Sequence, residues 1–510
     1  MLCTIILITI LVAVKGDECI PRSFGTNRMV CVCNSTYCDT VYKQTLQQNQ
    51  LLWYTSTQDG KRMQSSVVNF TAKNESKINL VLTVDISEKF QKIEGFGGAM
   101  TDAAALNIKN LSNETQQMLF ESYFGSTGIG YTFTRIPIAG TDFSTRPYTY
   151  DDVSNDLTLS HFKLVEEDDL KIGYLNYIKS IMSNPDNLKI LTTSWSAPAW
   201  MKTSNEITWG ALKLEYYQLY ADYITKFFDA YKERGINIWG ITPGNEPLDG
   251  FIPTFIFNAM AWTPTTSAAW VVNQLAPTLA NAGYKPFYIA MDDQRFEVPW
   301  FTESMFEYPN AKELFSGTAV HWYADEIFSP IRLSQLHDKY PDKFILMTEA
   351  CTGSSPLDKE KVILGSWDRG EKYASNIIEN LSHWMVGWID WNIALNEHGA
   401  PNWAKNYVDS PIIVMPQTDE FYKQPMFYAI SHFSQFVPCN SYRILSVGLE
   451  DNPHIEAIAF LTPEQDVVVV VVNKASTPTA ITVKDKNKNN VVNVNLPAKS
   501  FNTLLYLAQE

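Results

Sequence analysis

Two glutamates close short apolar runs, Glu246 in ITPGNEPLDG (241–250) and Glu349 in KFILMTEAC (343–351). Glu246 sits between an amide, Asn245, and Pro247, whose ring fixes the backbone. Either glutamate alone reads as a helix cap or half of an ion pair. Two carboxyl groups facing one pocket can instead cleave a glycosidic bond, one giving a proton and the other attacking. The attacking group must be ionised while its partner holds a proton. Arg135 and Tyr323 end other runs and are candidates to keep Glu349 charged, although Arg135 reads equally well as the partner of a core aspartate. Trp195 and Trp391 could stack on a sugar ring or belong to the core. Asp142 and Asp293 could bind hydroxyls or cap helices. Asn245 can hydrogen-bond a hydroxyl beside the bond that Glu246 protonates.

Other chemistries find less support. The chain has no G-x-S-x-G elbow and no H-E-x-x-H pair. EGFGGAMTDAA is glycine-rich but completes no nucleotide-binding motif, and its glycines are expected to let Asp102 and the backbone approach the pocket.

The elements that must position these residues form a recurring pattern. Apolar runs at 91–98, 131–143, 189–198, 237–247, 285–294, 317–325, 343–351 and 384–395 each end in polar or aromatic residues, most with a helical segment behind. Residues 214–235 have helical spacing and end on glycine, and the next helical segment carries Pro277 as an expected kink. Eight strand–helix units predict a (β/α)8 TIM barrel, whose chemistry lies at the C-terminal strand ends. These ends carry Asp142, Trp195, Asn245-Glu246, Asp292-Asp293, His321-Trp322-Tyr323, Glu349 and Trp391. The β-type runs after residue 455 predict a β-sandwich, completed by SVVNFTA and NLVLTVDI from before the barrel. That assigns 44–90 plus 440–510 to the sandwich and 91–395 plus about 425–439 to the barrel. VVVVVV (467–472) reads as a buried strand.

Composition narrows the setting. The 510 residues carry a net charge of -15, which disfavours nucleic acid, because phosphate binding needs a basic face. It also disfavours an anionic membrane at neutral pH, a repulsion that fades near pH 5. The 14 Trp and 25 Tyr are many for a core alone. Residues 1–16 read as a signal peptide, too short to span a bilayer, and no other stretch reads as a span. Sequons at Asn34, Asn69, Asn74, Asn110, Asn113 and Asn380 agree with the secretory route. Cys19, Cys31, Cys33 and Cys38 could hold zinc but lack C-x-x-C pairs, and an oxidising compartment favours two disulfides. Cys351 and Cys439 are expected to be free and buried.

Longer motifs carry a resemblance. KFQKIEGFGGAMTDAAALNI, SWSAPAWMKT, AVHWYAD, GSWDRG, DWNIALN, NWAKNYVDSPIIV, FYKQPMFYAISHFS, CIPRSFG and CVCNSTYCD together resemble the acid β-glucosidases, or glucosylceramidases, of glycoside hydrolase family 30. The similarity covers nearly the whole mature chain. It implies a barrel, a β-sandwich and a small disulfide-bonded N-terminal sheet (17–43, completed by about 396–424). It implies β-glucoside hydrolysis with Glu246 as acid/base and Glu349 as nucleophile. Arg135, Asp142, Trp195, Asn245, Tyr323 and Trp391 would be pocket residues and His321 a supporting one. The implied pairs are Cys19–Cys31 and Cys33–Cys38. No metal or other cofactor is implied; acidic lipids, a saposin-type activator and contact with a membrane surface are, in a lysosome or outside the cell. Other readings are a secreted glycosidase for another β-glycoside and an inactive sugar- or lipid-binding protein. Two departures stand out: Pro243-Gly244 replaces Ala-Glu of the vertebrate enzymes, and the loop Leu248 to Trp262 matches poorly.

Overall fold

The structure, a computed structural model, describes residues 16–72 and 80–508. The signal segment up to residue 15 and the Asn74 sequon lie outside the described residues. The eight apolar runs form strands β1 (Gly95–Ala99), β2 (Phe133–Ile138), β3 (Lys189–Ser194), β4 (Gly240–Ile241), β5 (Phe287–Gln294), β6 (Phe315–His321), β7 (Phe344–Glu349) and β8 (Met385–Asn392). They pair in parallel in chain order, and β8 closes on β1, giving the (β/α)8 barrel. Helices return outside, for example Tyr217–Glu233, which is followed by Gly235 at φ +85°. Before Pro277 the helix widens into a π turn at Val271–Leu275, the irregularity expected near a residue with no N–H.

The glycines of β1 serve packing rather than the pocket. A Cβ on Gly97 would lie 2.2 Å from the Phe133 carbonyl oxygen, so β1 approaches β2 only with glycine there. Asp102, expected to reach the pocket, is instead buried in a polar cluster, bonded by Lys171 at 2.8 Å, Ser144 at 2.7 Å and Tyr148 at 2.8 Å.

The β-sandwich domain draws strands from both sides of the barrel. Gln50–Thr57 pairs with Ser500–Leu507, and Leu80–Lys92 lies between Tyr442–Val447 and Thr479–Asp485. The run of valines is strand Asp466–Asn473. Val467, Val469 and Val471 point into the sandwich core; Val468, Val470 and Val472 join the core shared with the barrel. Both faces are dry, which is why the run shows no polar alternation. Trp367 stacks on Phe501 across this junction at 4.3 Å. A five-stranded sheet joins Pro21–Ser23 and Met29–Asn34 to Leu395–Asn396, Ile412–Met415 and Glu420–Lys423.

The disulfides are Cys19–Cys31 and Cys33–Cys38. Cys351 is free and buried. Cys439 is free but only half-buried, its Sγ 3.4 Å from Lys189 Nζ, which corrects the expectation of burial. Asn69, Asn110 and Asn113 are exposed and Asn34 is half-buried. Asn380 is not a glycan site in the folded chain: it is 0% exposed on helix Trp367–Ser382. Its Oδ1 accepts from Arg295 at 2.9 Å, and its Nδ2 donates to Asp325 at 3.1 Å.

Candidate active site

The C-terminal ends of the barrel strands surround a cavity of about 420 Å³. Asp142, Trp195, Asn245, Glu246, Tyr323, Glu349 and Trp391 all line it. Arg135 and His321 are fully buried beneath it and act through their neighbours. Asp293 does not line it. Its carboxylate accepts the backbone N–H groups of Leu248 at 3.4 Å and Gln294 at 2.8 Å and faces Glu297, so it does not bind substrate hydroxyls.

Glu246 is carried by the turn after β4, with φ at 42°, a left-handed conformation that costs a non-glycine residue energy. Two backbone bonds hold it: its N–H donates to Asp292 O at 3.0 Å, and its carbonyl accepts from Asp249 N at 3.0 Å. Its Oε1 accepts from Gln294 Nε2 at 2.8 Å and lies 3.0 Å from His321 Nδ1.

Glu349 ends β7. Tyr323 O–H donates to its Oε1 at 2.8 Å and the Arg135 guanidinium bonds its Oε2. Burial pushes this carboxyl above its ordinary value, with Glu246 adding to the shift, while His321, Arg135 and the Tyr323 hydrogen bond pull it down. Both oxygens face donors, which suits an ionised acceptor. Arg135 also donates to Asn245 Oδ1 at 2.8 Å and Asp292 Oδ2 at 3.0 Å, fixing the amide next to Glu246. Trp195 and Trp391 stack at 5.3 Å and 22°, with the Arg135 guanidinium 4.9 Å from the Trp195 centroid. Asp142 is held by Asn402 at 3.1 Å and Asn406 at 3.0 Å, and burial pushes its carboxyl up to about 7.

Asp292 is the residue that sequence reasoning passed over, having given the neighbouring Asp293 a role. It is fully buried and accepts from Arg135, from Thr242 Oγ1 at 2.7 Å and from Thr348 Oγ1 at 2.7 Å. His321 Nε2 lies 3.1 Å from its Oδ1. Arg135 and His321 drive its carboxyl far below the ordinary range despite burial. One anion therefore orients the cation that serves Glu349 and the imidazole that serves Glu246. Gln294 and the Asn402–Asn406 pair also went unread; Gln294 had only its place at a strand end as a signal, and the two asparagines lie in the loop before Ile412–Met415.

The arrangement makes stability depend on pH. Burial raises Asp142 and Asp293 to about 7, Asp249 to about 9 and Glu297 to about 10. The folded chain therefore holds protons that the unfolded chain releases near pH 4. That stabilisation is complete below about pH 4 and is lost as pH rises through these folded values. His432, lowered to about 3 by burial, Lys202, lowered to about 7 by burial, and the lowered His337 and His383 act in the opposite sense, while Asp325, raised to about 6, and the raised Asp390 and His321 add to the carboxyl effect. The melting temperature should be several degrees lower at pH 8 than at pH 5; an equal or higher value at pH 8 would contradict the carboxyl assignments.

Glu246, His321 and Glu349 each place one side-chain O or N atom within 4.8 Å of the other two. Glu246 and Glu349 thus face one another across a short gap, so that both can reach one bond. A barrel that brings two carboxyl groups together at its fourth and seventh strand ends has the pair of groups that glycoside hydrolysis uses, and so defines the class of glycoside hydrolases. The comparisons agree. Residues 93–437 match the glycosyl hydrolase family 30 TIM-barrel domain and residues 440–504 the family's beta sandwich domain. The chain belongs to glycosyl hydrolase family 30. It is 41% identical over 506 residues to the lysosomal acid glucosylceramidase of Mus musculus, covering 98% of this chain and 97% of that one. It is 27% identical to an endo-1,6-beta-D-glucanase of Aspergillus fumigatus, covering 80% and 84%. Its structure superposes on SrfJ from Salmonella typhimurium with a TM-score of 0.83 at 26% identity, covering 90% of this chain and all of that one.

Proposed function

We propose that the chain is a retaining β-glucosidase that hydrolyses the β-glucosyl bond of glucosylceramide to glucose and ceramide (EC 3.2.1.45). The observation that carries it is the close pairing of Glu246 with Glu349, joined to 41% identity with a glucosylceramidase along almost the whole chain. Glu349 attacks the anomeric carbon while Glu246 gives its proton to the departing oxygen. The glucosyl–Glu349 ester then reacts with water, whose proton Glu246 takes back. Two inversions keep the β configuration. Trp195 and Trp391 provide an apolar wall, and Asn245 and Asp142 polar groups for sugar hydroxyls.

The site favours an acidic compartment, a lysosome, because several of its carboxyls keep protons up to about pH 7 or above. Exposed Phe251, Ile252, Ile256, Ile327 and Leu357 sit on the loops after β4, β6 and β7 around the mouth. This apolar rim supports contact with a lipid surface and work alongside acidic lipids and a saposin-type activator. Among the described residues no helix is long and apolar enough to cross a membrane.

The test is to assay the purified protein on glucosylceramide in anionic vesicles, on a 1,6-β-glucan and on a β-xyloside, following the first sugar released by proton NMR. Glucosylceramide should be the preferred substrate, with β-glucose appearing before mutarotation. Preference for the glucan would replace the substrate, and α-glucose appearing first would overturn the roles of both glutamates.

A further inference from the structure

Gln294 closes β5, FYIAMDDQ, two positions after Asp292. Side chains alternate along a strand, so the register shift at Met291–Asp293 that turns Asp292 inward turns Gln294 inward as well. Across the strands Gln294 pairs with His321 of β6. Gln294 Nε2 and His321 Nδ1 therefore meet at one atom, Glu246 Oε1, at 2.8 Å and 3.0 Å. The other amide atom of Gln294, its Oε1, is buried with no hydrogen-bond partner among the described residues. A buried acceptor left unmet costs stability, so packing alone does not account for an amide here. We propose that Gln294 is a positioning residue for this reaction: with His321 it occupies Glu246 Oε1, which places the transferable proton on Oε2, and it supports the carboxylate that forms as that proton leaves. The inference deepens the proposed function and rests on the acid/base role given to Glu246.

The donors decide which oxygen carries the proton. His321 stands between two carboxyl groups, its Nδ1 on Glu246 and its Nε2 3.1 Å from Asp292 Oδ1. Burial opposes a charge on the ring, but Glu349, Asp292 and Glu246 outweigh it and keep the imidazole protonated, so both ring nitrogens donate. Glu246 Oε1 then accepts two N–H groups, which fills the two lone pairs of a carbonyl oxygen and leaves none for a proton. The acid form of Glu246 is thereby fixed with its O–H at Oε2. While Glu246 is neutral, the bond from Gln294 is an ordinary one. Once the proton has passed to the departing oxygen, the same bond ends on an anion and is about twice as strong. Support that grows toward the transition state accelerates the step, whereas equal support of both forms would not.

This role predicts a dependence on the leaving group. Gln294→Met keeps an unbranched side chain of similar length and removes the donor. It should lower kcat/KM about 10-fold on an alkyl β-glucoside, whose alkoxide needs a proton to depart, the scale of one hydrogen bond to a charged group. On 2,4-dinitrophenyl β-glucoside, whose phenolate departs without a proton, the loss should stay below about twofold. The alkaline limb of the alkyl-glucoside profile should also move upward, because a carboxyl whose anion has lost a donor holds its proton to higher pH. The charged and titratable groups that face Glu246, namely His321, Tyr323, Glu349, Asp142, Asp249, Asp293 and Glu297, all remain in the variant. Gln294→Leu, a second side chain without a donor, should repeat the pattern. Equal losses on both substrates in both variants would mark a merely structural residue, and no loss on either would also overturn the proposal. Glu246→Ala in the same assays separates the two claims. If it too shows no leaving-group dependence, the acid/base assignment fails; if Glu246→Ala discriminates and the Gln294 variants do not, only this proposal fails.

Discussion

Glu349→Gln should lower kcat roughly 10⁴-fold or more, the scale seen when a covalent nucleophile is removed, while the protein still folds. Glutamine keeps the shape of the side chain: its carbonyl oxygen can accept from Arg135, and its amide can donate to the Tyr323 hydroxyl, where the carboxylate accepted from both. Arg135 is not left without a counter-ion, because Asp292 Oδ2 stays 3.0 Å from it. What disappears is the negative charge that attacks the anomeric carbon. The measurement is steady-state turnover of a fluorogenic β-glucoside, with circular dichroism and a melting curve on the same sample. A cyclophellitol-type inhibitor should label Glu349 in the unaltered protein and nothing in the variant. Activity within tenfold of the parent, or labelling at another residue, would remove Glu349 from the mechanism.

Asp292→Ala should be the most destabilising single change in the site, by about 3–5 kcal/mol, the usual cost of deleting one member of a buried ion pair. The side chain is fully buried and touches two cationic groups and two hydroxyls. Its loss leaves Arg135 with one carboxylate in place of two and frees the ring of His321 to turn. Both ends of the catalytic pair lose orientation together, so kcat should fall about 10- to 100-fold, as when buried supports of a site are removed. Asp292→Asn keeps the shape and one acceptor and should cost less stability than alanine. Calorimetry of the two variants checks this ordering. A melting temperature within a degree of the parent for Asp292→Ala would show that Arg135 and His321 are held by something else.

The barrel was legible because its signal is local and repeated. Eight apolar runs with polar or aromatic ends need only parallel closure to bring those ends to one face, and closure is what unites Glu246 with Glu349. The six valines announced a strand, and burial of both its faces, one in the sandwich core and one in the core shared with the barrel, explains their lack of alternation. Phase within a strand was not legible. Between Asp292 and Asp293 the reading gave a role to the second, but a register shift at Met291–Asp293, with φ of 71° at Met291 and 81° at Asp292, turns Asp292 inward.

The remaining misreadings have the same origin. A sequon is three residues long, whereas the burial of Asn380 depends on Arg295 and Asp325 from other units of the barrel. The glycines of β1 suggest that Asp102 and the backbone approach the pocket, but the 2.2 Å from a Cβ on Gly97 to the Phe133 carbonyl oxygen makes strand contact the reason for glycine there. Asp293 and Glu297 are unremarkable as letters; what distinguishes them is burial near Glu246, which pushes both carboxyls up. Residue types and their periodicity, acting over a few positions, determined the strands, the barrel and the two glutamates at its mouth. Burial and proton sharing depend on what distant segments bring within about 3 Å, the range of a hydrogen bond, and only the tertiary structure decided those.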